Sequence, residues 1–200
     1  EKLEMKQTTP RPVFSAMRPK ISAFYVRADS PVKTVADLDG RKLAFTFTYS
    51  SPGYFVPILH LMQRDFVLDR PAPGKKVVYT SLSGHYINSL YWVFFGKADA
   101  AAVGDDDLQK TSPKLQKSLR QLEDTLPYPG FFVLLTPVWK AEQQRVLMDF
   151  LQALHTDPAG RDLLSKTYSC KALVPIDAEV EKWIAGADAA ITALSAAQAH

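Results

Sequence analysis

The chain has 200 residues, a net charge of +3, 46% apolar and 11% aromatic residues, and 22% charged residues. That is one large domain or two small lobes with material for a core, and it excludes a disordered or membrane-embedded chain. The basic residues fall in short clusters such as Arg41-Lys42 and Lys75-Lys76, so no nucleic-acid partner is expected, and no apolar run nears the ~20 residues of a transmembrane helix.

Residues 1–21 mix charge with prolines and read as a connector or hinge. Ile21 to Arg27 reads as a strand, and Thr34 to Leu38 as one helical turn closed by Gly40. Residues 42–47 alternate like a strand. Thr48, Tyr49, Ser50 and Ser51 then place four hydroxyls in a row, Pro52-Gly53 turns the chain, and apolar residues recur at helical spacing over 54–66. A loop over 69–76 precedes a strand at 77–80. Ser83-Gly84 opens a helix over 85–95 that is apolar almost all round, hence buried, with Gly96 at its end. Residues 98–103 form a small-residue strand. Asp105-Asp106-Asp107 opens a polar helix predicted to run, broken at Pro113, to about Leu122. A strand at 131–136 and helices over 140–155, 158–167 and 177–197 complete the chain.

Strands alternating with helices predict an α/β fold with a mainly parallel sheet and helices on both faces. Ligands of such sheets sit at the carboxyl ends of strands. Three features fall there: the hydroxyl turn after 42–47, His85 after 77–80 and the aspartate run after 98–103. A strand–turn–helix with free backbone N–H groups suits an anion, and the turn holds no Lys or Arg, unlike a P-loop. Ser51 also reads as an N-cap alone, His85 as a cap of its own helix, and Asp106 as a solvated first-turn aspartate. The single Cys170 forms no internal disulfide, and the four histidines lack ligand spacing, so neither a metal nor a cofactor is expected.

Several stretches in one order carry a resemblance. Tyr25-Val26-Arg27-Ala28-Asp29-Ser30-Pro31, Val35 to Lys42 with its Asp37-Leu38-Asp39-Gly40, Tyr49 to Pro57, Ser83-Gly84-His85, Gly96 to Val103 and Asp157 to Leu164 together resemble the PhnD-like phosphonate/phosphite/phosphate-binding proteins of ABC importers. These are type II periplasmic binding proteins. The resemblance implies a lobe over 22–126 and, over 127–200, a return strand with a C-terminal helical segment that packs on a first lobe. It implies a small oxyanion held by Ser50, Ser51 and the N–H groups running to Gly53, walled by Tyr49, with His85 donating and Asp106 placed where an amino group is recognised. Pro52 replaces a family Ser or Thr, and residues 126–130 carry no acid. A simple oxyanion or unsubstituted alkylphosphonate is therefore expected rather than an aminoalkyl one.

The resemblance also implies a first-lobe segment ahead of residue 20 that this chain lacks. A longer parent chain, a partner or a dimer mate is expected to supply it. Expected partners are the ligand and an ABC permease, in a periplasmic or extracytoplasmic location. The alternative is an extracytoplasmic input domain, or ligand-presenting partner, of a sensor kinase. An enzyme is not expected. Ser50 or Ser51 with His85 and Asp106 can be drawn as a triad, but no G-x-S-x-G elbow holds the serine. Cys170 has only His155 near in sequence.

Overall fold

A computed structural model describes residues 11–16, 19–136, 138–168 and 170–198. Of the connector expected over residues 1–21, residues 1–10 and 17–18 lie outside them. The chain divides into two compact units. One is continuous, Lys20–Tyr128; the other joins Glu1–Pro19 to Pro129–His200. In chain order the strands are β1 (Arg11–Ala16), β2 (Pro19–Lys20), β3 (Ser22–Arg27), β4 (Arg41–Phe45), β5 (Phe66–Leu68), β6 (Lys76–Leu82), β7 (Ala100–Gly104), β8 (Leu119–Asp124), β9 (Tyr128–Pro129), β10 (Phe132–Leu135) and β11 (Leu173–Pro175). The helices are α1 (Val56–Met62), α2 (Tyr86–Phe94), α3 (Pro113–Ser118), α4 (Ala141–Ala153), α5 (Pro158–Tyr168) and α6 (Ala178–Gln198).

The continuous unit is built on a six-stranded sheet of order β5-β6-β4-β7-β3-β8. β5, β6, β4 and β7 pair parallel, and β3 runs antiparallel to both β7 and β8. β4 and β7 are covered on both faces, and Leu43, Ala44, Phe45 and Ala100 to Val103 are all buried. On one face, Ala23, Tyr25, Ala44, Ala101 and Val103 pack with Leu90 and Val93 of α2 and Leu115 of α3. Phe24 and Phe45 turn to the other face, where Phe24 meets the ring of His60 on α1 at 5.7 Å and Phe45 meets Tyr54 edge-on at 5.7 Å. Helices on both faces of a mainly parallel sheet are thus present as expected.

His60 is buried on α1. Its Nε2 lies 3.0 Å from Glu123 of β8, which also accepts from Arg64 at 2.7 Å. Burial, and then the Arg64 charge, hold the imidazole below its ordinary pKa, against the pull of Glu123.

Three local expectations are corrected. The aspartate run opens no long helix: residues 105–111 turn, α3 is a single short helix capped by Ser112, whose Oγ accepts from the Leu115 N–H, and residues 119–124 are strand β8. The helix expected to reach residue 66 stops at Met62: residues 63–65 turn, Asp65 takes a left-handed φ of 65°, and β5 begins at Phe66. Residues 11–16 form β1.

The other unit holds a three-stranded antiparallel sheet of order β10-β1-β11. Phe14, Leu135, Leu164, Cys170 and Leu173 form its core, flanked by Leu147, Leu151 and Leu154.

Candidate functional site

β4 and β6 are neighbours in parallel, with Phe45 level with Leu82, and β4 pairs with β7 on its other side. The turns that leave these three strands therefore emerge at one sheet edge. The first two are tied together: Ser83 N–H donates to Phe45 O and Gly84 N–H to Thr46 O, both at 2.8 Å. Gly84 makes this approach at a φ of +79°, which only glycine adopts without strain.

After β4 the chain folds back on itself, with Thr46 N–H donating to Gly53 O at 2.9 Å. Residues Ser51–Phe55 form one wide helical turn that runs into α1. Ser50 is its N-cap: the Gly53 N–H donates to Ser50 Oγ at 3.0 Å. Ser50 is buried and Ser51 exposed. Gly53 is required here because a Cβ would run into the Thr46 side chain. Thr46 is itself 3% exposed, and its Oγ1 is buried without a hydrogen-bond partner. Such a hydroxyl is costly in a core. No pattern in the sequence separated Thr46 from Thr48, so this residue was missed. Tyr49 is 84% exposed and stacks on Phe47.

After β6, His85 caps α2, with the Ile87 N–H donating to His85 Nδ1 at 3.3 Å. In the neutral ring this bond puts the remaining proton on Nε2, which is then a donor. His85 is exposed and lies 4.3 Å from the ring of Tyr86.

After β7, Asp107 Oδ2 accepts the Gly104 N–H at 2.9 Å. Asp106 and Asp107 both pair with Lys110, at 3.0 and 3.1 Å. Burial works against the Lys110 charge, yet these two carboxylates raise its pKa above the ordinary value. Lys110 also lies 5.8 Å from the Tyr86 ring, which links this turn to that of His85. The lysine was legible only as a partner three and four residues beyond the aspartates. Tyr25, buried below the same turn, has its pKa raised to about 12 by burial and then by Asp105, so it stays a neutral donor to Asp105 O at 3.4 Å.

Ser50, Ser51, Gly53 and Tyr49 thus share one turn, His85 stands in the turn tied to it, and Asp106 stands in the third, already paired with a lysine. Among the described residues no group of His, Cys, Asp and Glu is arranged to hold a metal ion, and none of the helices is long and apolar enough to cross a membrane.

Turns of a mainly parallel sheet gathered at one carboxyl edge stand where α/β proteins of this kind place their ligands. Solved structures share this fold. XAC2383 from Xanthomonas citri, solved bound to ATP, superposes with a TM-score of 0.77 at 22% identity over 90% of this chain and 71% of its own. PhnD1 from Prochlorococcus marinus, solved with methylphosphonate, gives 0.67 at 17% identity, covering 92% of this chain and 72% of its own. A binding protein component of an ABC phosphonate transporter from Pseudomonas aeruginosa gives 0.58 at 16%, covering 84% and 58%. The fold is that of the type II periplasmic binding proteins. The family model for the periplasmic substrate-binding protein of phosphonate ABC transporters matches residues 13–180, and the chain belongs to that family. No curated protein sequence matches it. The family is the substrate-binding component of a transporter, a class that works by binding.

Proposed function

We propose that the chain binds a phosphonate- or phosphite-type oxyanion without turnover, outside the cytoplasmic membrane, and presents it to an ABC permease. The observation that carries this is the way the two caps are used. Ser50 Oγ and His85 Nδ1 each accept an N–H from their own helical turn. Each group has one acceptor engaged and one hydrogen left: the Ser50 hydroxyl proton and His85 Nε2–H. Capping and ligand binding are therefore two halves of one arrangement rather than rival roles. A neutral cradle of this kind, added to the dipole of the turn, suits a desolvated oxyanion. Asp106 is held by Lys110, which supports a ligand without an amino group.

A thermal-shift screen against phosphate, phosphite, methylphosphonate, 2-aminoethylphosphonate and sulfate tests the reading. A ligand at 100 times its Kd adds about 2.7 kcal/mol, so a phosphorus oxyanion is expected to raise the Tm and 2-aminoethylphosphonate to do so less. Joint replacement Ser50→Ala and Ser51→Ala is expected to weaken binding by about 2–4 kcal/mol, and His85→Ala to weaken it without unfolding the chain. Binding that survives all three changes would refute the cradle.

A further inference from the structure

The turn after β4 carries aromatic surface that the core does not use. Tyr49 is 84% exposed, and its ring lies on that of Phe47 with centroids 4.2 Å and planes 30° apart. In the neighbouring turn His85 lies over Tyr86, with centroids 4.3 Å and planes 34° apart. The 2.8 Å bond from Gly84 N–H to Thr46 O holds the two turns side by side. A tyrosine stacked on one side against a second ring and otherwise exposed keeps its other π-face uncovered, one residue from the Ser50 cap. Tyr49 immediately precedes Ser50, so the face and the cap belong to the same few atoms of chain.

Phosphite or methylphosphonate brings no surface to cover such a ring, whereas a flat substituent on the phosphorus group does. Stacking of this kind is tolerant of the ring's identity and needs no hydrogen-bond readout. We infer that the site takes an oxyanion bearing a flat aromatic group, an aryl phosphonate or aryl phosphate ester, with its ring stacked on Tyr49. The inference rests on the oxyanion reading proposed above and names the substituent that the anion carries.

Isothermal titration calorimetry of the full chain with methylphosphonate and phenylphosphonate tests it. The wild-type chain is expected to bind phenylphosphonate about tenfold more tightly than methylphosphonate. Tyr49→Ala is expected to bring that ratio close to one, and Tyr49→Phe, which keeps the ring, to preserve it. Melting curves of both variants check that they are folded. Equal wild-type affinities, a ratio that survives Tyr49→Ala, or a loss shared evenly by both ligands overturns the aromatic substituent while leaving an anion site in place. Failure of both ligands to bind overturns the oxyanion reading and this inference together.

Discussion

The two units spend their apolar residues differently. In the continuous unit Phe24, Leu43, Phe45, Ile58 and Leu61 are fully buried between a six-stranded sheet and its helices. In the other unit α4 buries no residue at all. Val146 and Phe150 stay 62% and 60% exposed, and with Trp139 and Leu147 they line an open groove of about 570 Å³. Both regions carry helical spacing of apolar residues in sequence. The lesson is that periodicity reports a stripe, not its cover: whether a stripe is core depends on what the rest of the chain lays over it. The proposed ligand residues all stand on the unit whose interior is closed.

Substitutions in the two units are expected to differ widely in cost. Phe24→Ala removes a fully buried ring packed on His60 and is expected to cost about 3–5 kcal/mol in urea melts. Gly53→Ala forces a Cβ against Thr46 and is expected to cost about 1–3 kcal/mol and to diminish any anion-dependent rise in Tm. Ser50→Ala removes a cap and is expected to cost about 1 kcal/mol in the same melts.

A gentler effect is expected from pH. The folded His60 pKa lies below its unfolded value near 6.5. Below that pH the unfolded chain takes up a proton that the folded chain refuses. Stability is therefore expected to fall as pH drops through about 6, level off past the folded pKa, and lose this component in His60→Gln, as followed by melts across pH 4–8. Smallest of all, Phe150→Ser is expected to change stability by no more than about 0.5 kcal/mol. A cost near that of Phe24→Ala would show that the α4 face is covered in solution.

Much of the first contrast was legible in advance. The β4–turn–α1 passage announced itself through alternation, four hydroxyls and Pro52-Gly53, and α2 through its all-round apolarity. What escaped were elements whose residues do not alternate. β8 is an edge strand whose Arg120, Gln121, Glu123 and Asp124 are polar and spend their side chains on hydrogen bonds, so it carried no apolar alternation and read as the end of a helix. β5 has three residues, with Phe66 four places after Met62, and passed for helix. β1 hid among prolines and charge. At the site, the serine turn and His85 were identified as residue types, but that Ser50 Oγ and His85 Nδ1 act as acceptors in their caps depends on hydrogen-bond direction. Lys110 was marked only by its spacing three and four residues beyond the aspartates.

The ends of the continuous unit meet. Ser22 N–H donates to Thr125 Oγ1 at 3.1 Å, and Thr125 N–H returns a bond to Ser22 O at 2.7 Å. This staple exists because β3 runs against β7 and β8, so its first residue stands beside the last residues of the unit. A stretch of chain whose start and finish are clasped together behaves as a cassette. Such a stretch is expected to tolerate excision, or insertion into a surface loop of an unrelated scaffold, as checked by the melting of the excised unit. The antiparallel course of one strand thus gives this chain a portable part about one hundred residues long.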